Sequence, residues 1–94
     1  MEKTAFKALV SGMVQGVGYR YYAAREASTF QITGYVKNLP DGRVEVFAEG
    51  SREDLDQFLE KLRRGPRFGF VEHVEVEWLD YEARFKKFSI EAGY

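Results

Sequence analysis

Val14-Gln15-Gly16-Val17-Gly18-Tyr19-Arg20 decides how this chain is read. The stretch follows an alternating apolar run, holds two glycines one residue apart, and brings an arginine to the point where a helical pattern begins. Glycine lets the backbone take positive φ and come close to a ligand. Successive N–H groups at a helix start form a site for an anion. A guanidinium at its edge adds a planar fork of donors suited to phosphate oxygens. The stretch therefore reads as a phosphate cradle with one fixed positive charge or, on its spacing alone, as a tight turn. Gly12, Gly16 and Gly18 do not fit the dinucleotide fingerprint, and no Gly-Lys-Ser/Thr follows as a nucleoside-triphosphate loop requires.

Working outward, Thr4 to Met13 alternates Phe6, Ala8 and Val10 against Lys7, Leu9 and Ser11, which predicts a strand leading into the cradle. From Tyr19 onward, Tyr19, Ala23, Ala27 and Phe30 fall on one helical face, so a helix is predicted to about Gln31. A strand follows from Ile32 to Asn38. Leu39-Pro40-Asp41-Gly42 is a turn, with proline presetting φ at its second position and glycine suiting its last. With Arg43 to Glu49, carrying Val44, Val46 and Ala48 on one face, it makes a hairpin. Ser51 caps a second helix, with Asp54 as a capping-box-like partner. Leu55, Phe58, Leu59 and Leu62 stand at i, i+3, i+4 and i+7 along it. Arg63 and Arg64 favour the end of its dipole, and Gly65-Pro66 stops it. After Arg67, Phe68 and Gly69 comes a fourth strand with Val74, Val76 and Trp78 alternating, then a short last one with Phe88 and Ile90. The order β-α-β-β-α-β with one extra strand predicts an α+β ferredoxin-like sandwich, mostly antiparallel, with both helices on one sheet face.

The 94 residues are expected to form a single domain, 1–94, large enough for one core without staples. The chain has no cysteine, which excludes disulfides, thiolate metal sites and cysteine nucleophiles. Its one histidine, His73, excludes a multi-histidine metal site and is read as structural or solvated. Met1 is followed by Glu2 and Lys3 with no long apolar stretch, predicting neither a signal peptide nor a membrane span. A cytoplasmic protein is expected. The net charge of −1 disfavours non-specific nucleic-acid binding, which rests on phosphate neutralisation. The Arg63, Arg64 and Arg67 cluster reads as a solvated helix end.

Two distant motifs are predicted to meet. A strand–helix–strand crossover makes the first two strands parallel. The cradle leaves the first strand at the same end at which Asn38 closes the second. With the hairpin partner between them, those ends lie roughly 10 Å apart, two spacings of about 4.8 Å. Arg20 and Asn38 can then approach one phosphate-sized ligand from either side, with Tyr19 and Tyr21 near its walls.

Val14-Gln15-Gly16-Val17-Gly18-Tyr19-Arg20, followed by Gly34-Tyr35-Val36-Lys37-Asn38 and Gly42-Arg43-Val44, resembles the acylphosphatase family over essentially the whole chain. Tyr19 stands where phenylalanine is more usual in that family, and Met13 where a basic residue is common. The resemblance implies metal-independent hydrolysis of the carboxyl–phosphate bond of a small-molecule acyl phosphate, with no cofactor; charge and the lack of an apolar span predict neither a nucleic-acid nor a membrane partner, and a monomer is expected. By the same resemblance Arg20 and Asn38 are the catalytic residues. Arg20 binds the phosphoryl oxygens together with backbone N–H groups of Gln15, Gly16, Val17, Gly18, Tyr19 and Arg20. Asn38 orients the attacking water.

Two other classes share the layout. One is a non-catalytic anion-binding or regulatory module, which has no use for a water-positioning amide. The other is an RNA-recognition domain, which calls for aromatics on its central strands. Arg43-Val44-Glu45-Val46-Phe47 offers one aromatic beside an acidic residue.

Overall fold

Alternation in the first strand sets the layers. In the computed structural model, which describes residues 2–92, Phe6, Ala8 and Val10 of β1 (Lys3–Met13) are fully buried on one sheet face. The other elements follow as α1 (Tyr19–Ala27), β2 (Thr33–Asn38), β3 (Val44–Ser51), α2 (Arg52–Arg64), β4 (Phe70–Leu79) and β5 (Phe88–Glu91). The five strands lie in the order β4-β1-β3-β2-β5. β3 is antiparallel to β1 and to β2, and β5 alone pairs parallel, along β2. Register puts Ala8 opposite Val46 and Val46 opposite Val36, so one apolar row crosses the three central strands.

Both helices pack over that row, α1 on β2 and β5, and α2 on β1, β3 and β4. The predicted face of α2 is the one buried: Leu55, Phe58, Leu59 and Leu62 join the core. Full burial of each such side chain stabilises by roughly 1.5–3 kcal/mol. The Ser51 hydroxyl accepts from the Asp54 N–H at 3.1 Å, as the capping pattern predicts. Ser51 is also the last residue of β3, so strand passes into helix without a loop.

α1 departs from the predicted bounds. It stops at Ala27, and β2 begins at Thr33 rather than Ile32. The Ser28 and Thr29 hydroxyls donate back to the carbonyls of Arg25 and Glu26, at 2.6 and 2.7 Å, and tighten the last turn. Phe30 therefore packs against the core from outside the helix, and Tyr22 joins the buried face in addition to Tyr19, Ala23 and Ala27.

The second sheet face is covered as well, at the end away from the cradle. The connection between β4 and β5 lays Phe85 against Tyr35 and Phe47, with ring centroids 5.7 and 5.6 Å apart. The Arg84 guanidinium stands 4.8 Å over Phe47. Beneath it, Glu49 is 1% exposed, and its carboxylate accepts from the N–H groups of Glu82 and Arg84 at 2.9 and 2.8 Å. Those bonds offset the cost of taking a carboxylate out of water.

Candidate active site

The register of β1 against β4 slips between Ser11 and Gly12, leaving Glu72 of β4 as the extra residue of a bulge beside the strand end from which the cradle leaves. Gly16 and Gly18 then take φ of 76° and 82°, in the left-handed region that a side chain resists. Gly18 is the N-cap of α1 and has no side chain to cap it; its carbonyl accepts from the Tyr22 N–H at 2.9 Å. The first N–H groups of an α-helix have no partner within it. Those of α1 belong to Tyr19, Arg20 and Tyr21, so the strand-to-helix turn presents donors where an anion is favoured.

Cradle and hairpin meet as topology predicts, because β3 separates β1 from β2. Gly16, Gly18, Tyr19, Arg20, Tyr21 and Asn38, with Val14, line one cavity of about 110 Å³. Arg20 is half-buried, and its Nη1 donates to the Glu91 carbonyl at 3.2 Å, which ties the guanidinium to the end of β5. Asn38 closes β2 opposite Val44. A larger concavity, about 470 Å³, opens near Lys3, Phe30 and Lys87, but it offers no turn of backbone donors beside an arginine.

Three side chains around the cavity, those of Gln15, Tyr19 and Tyr22, make hydrogen bonds that local spacing does not predict. The Gln15 side-chain amide donates to the carbonyls of Leu39 and Arg43, each at 2.8 Å, and so bridges the cradle to both ends of the turn that follows Asn38. That turn is closed by the Gly42 N–H on the Leu39 carbonyl, and Asp41 accepts from the N–H and Nε of Arg43. The Arg43 N–H, first among the bonds Asp41 accepts, holds the Asp41 carboxyl below its ordinary range. The Tyr19 and Tyr22 hydroxyls each donate at 2.7 Å, to the carbonyls of Leu62 and Lys61 in the last turn of α2. Tyr19 thus anchors the start of α1 to the end of α2, using a carbonyl the helix leaves unpaired. Burial, with Tyr22 adding to it, pushes the Tyr19 phenol above its ordinary range, so it stays a donor. Nothing in local spacing signals where a side-chain amide or phenol will reach.

His73 is exposed on β4, and Arg63, Arg64 and Arg67 are exposed at and beyond the end of α2. Among the described residues, no group of three or more His, Cys, Asp or Glu side chains is placed to hold a metal ion. No helix among them is long and apolar enough to cross a membrane.

A family model described as Acylphosphatase matches residues 6–90. An acylphosphatase of Thermus thermophilus is 54% identical over 83 residues, covering 88% of this chain and 93% of its own length. One of Methylococcus capsulatus is 48% identical over 82 residues, covering 87% and 89%. The crystal structure of acylphosphatase from Bacillus subtilis superposes with a TM-score of 0.90 at 38% identity, over 94% of this chain and 98% of that one. Matched by the family model over most of its length, and by these relatives over most of theirs, the chain belongs to the acylphosphatase family of enzymes.

Proposed function

We propose that the chain hydrolyses the carboxyl–phosphate bond of small-molecule acyl phosphates, releasing a carboxylate and phosphate, without a metal or cofactor. The observation that carries this reading is the single cavity lined by Gly16, Gly18, Arg20 and Asn38. In it, Arg20 and the backbone N–H groups from Gln15 to Arg20 bind the phosphoryl oxygens, and Asn38 orients the attacking water. All of these groups come from one chain, and the enzyme acts as a cytoplasmic monomer.

The chemistry suits these residues. The leaving group is a carboxylate whose conjugate acid has a pKa of about 4, as for Asp or Glu side chains, so it departs without a general acid. A loose phosphoryl-transfer transition state asks for positioning and charge stabilisation more than for a strong base. Arg20 and the fixed N–H dipoles supply the charge, and Asn38 the orientation. The substrate phosphate accepts the proton of the water. An alkoxide leaves far less readily than a carboxylate, so phosphate monoesters are poor substrates.

The test is hydrolysis of benzoyl phosphate by the purified chain in EDTA. Turnover undiminished by the chelator supports the reading. A folded chain that binds phosphate and hydrolyses nothing replaces it with a non-catalytic anion-binding module.

A further inference from the structure

Three large apolar side chains stand in water beside the cradle. Met13 is 65% exposed, Phe68 80% and Phe70 59%. Met13 and Phe70 are paired in register at the ends of β1 and β4, and Met13 directly precedes the cradle. The segment carrying Phe68 and Phe70 is held against the cradle at Gly69, where a Cβ would come within 3.2 Å of a Val17 methyl and 3.1 Å of the Met13 carbonyl. Exposed apolar side chains gathered in one place mark a surface that something apolar covers.

Sheet order says what that is. At the site's end of the sheet, β4 and β1 bring Phe70 and Met13 to one side of the cradle, and β2 brings Asn38 to the other, beyond β3. In-line displacement sets the leaving oxygen on the side of phosphorus opposite the attacking water. With the water held at Asn38, the departing carboxylate and its acyl group point toward β1 and β4. Resting on the catalytic reading above, we propose that Met13, Phe68 and Phe70 form a shelf for the acyl group, and that the enzyme selects acyl phosphates with an apolar chain. Apolar contact remote from phosphorus then contributes to binding the transition state.

The experiment is kcat/KM for acetyl, butyryl and hexanoyl phosphate, with wild type and the Phe68→Ser/Phe70→Ser double variant. Straight-chain carboxylates are nearly equal as leaving groups, so a trend along the series reports contact with the chain. Full burial of a methylene is worth roughly fourfold, and an open shelf covering one side gives about twofold. From acetyl to hexanoyl phosphate the wild type is expected to gain on the order of tenfold, and the double variant to lose most of that gain. Equal values along the series in a wild type that hydrolyses acetyl phosphate overturn the shelf and leave the acylphosphatase reading standing. A gain retained in the double variant also overturns the shelf. No hydrolysis of any of the three overturns both.

Discussion

Gln15 donates its side-chain amide to the carbonyl of Leu39 at 2.8 Å. Leu39 follows Asn38 directly, so this bond fixes the distance between the phosphate cradle and the residue that holds the water in the proposed mechanism. The same amide reaches the Arg43 carbonyl, and one side chain thereby sets both ends of the turn. Gln15→Leu removes two hydrogen bonds worth about 0.5–1.5 kcal/mol each, while the Leu39 carbonyl keeps the Gly42 N–H and the Arg43 carbonyl keeps the Leu39 N–H. We expect a stability loss of about 1–3 kcal/mol in urea unfolding. A displacement of 1 Å can cost up to about a hundredfold in rate, so kcat is expected to fall by roughly tenfold. Inhibition by inorganic phosphate, which needs the cradle and not Asn38, is expected to change far less.

Tyr19→Phe separates structure from catalysis. The variant keeps the ring in the core and deletes the donor to Leu62, leaving a buried carbonyl unsatisfied at a cost of about 1–3 kcal/mol. The urea midpoint should drop with an unchanged slope, and kcat/KM should stay within about threefold, since no step uses the phenol. The wild type also carries an alkaline signature. Because burial raises the folded phenol above the unfolded value of 10.0, the unfolded chain loses its proton first. That contribution to stability is full below pH 10 and is lost as pH rises from there toward the folded value. Titrating stability from pH 9 to 11 should give a shallower decline in Tyr19→Phe than in wild type.

Glu49→Ala tests the cover on the second sheet face. The carboxylate is buried and accepts from the backbone N–H groups of Glu82 and Arg84. Its removal leaves both donors unpaired and opens a cavity, for an expected loss of about 3–5 kcal/mol. Glu49→Gln keeps one acceptor and the volume, and should lose less. Hydrogen exchange should show the amides of Glu82 and Arg84 among the first to lose protection.

Where the chain speaks in periods, its fold is legible. The two-residue alternation of Phe6, Ala8 and Val10, and the helical spacing of Leu55, Phe58, Leu59 and Leu62, both mark faces the structure buries. Sequence order and the crossover rule then bring Arg20 and Asn38 to one end of the sheet, and they line one cavity there. The contacts that hold them carry no period. Gln15 reaches 24 residues along the chain to Leu39, and Tyr19 reaches 43 residues to Leu62. Glu49 reads as a polar strand end until the segment after Leu79 folds over it. The end of α1 differs from its predicted place for a related reason: hydroxyl back-bonding at Ser28 and Thr29 decides it, and the apolar pattern running on to Phe30 does not.

The division of labour between Arg20 and Asn38 is the centre of this account, and one paired measurement tests it. Benzoyl phosphate hydrolysis and inhibition by inorganic phosphate are measured side by side in wild type, Arg20→Ala and Asn38→Ala, each shown to be folded by circular dichroism. Both variants are expected to lose about a hundredfold or more in kcat/KM. Arg20→Ala should lose phosphate inhibition as well, whereas Asn38→Ala should keep it nearly unchanged, with its loss falling on kcat. Either variant turning over at the wild-type rate, or Asn38→Ala losing phosphate binding as fully as Arg20→Ala, would contradict the assignment of charge to one residue and water to the other.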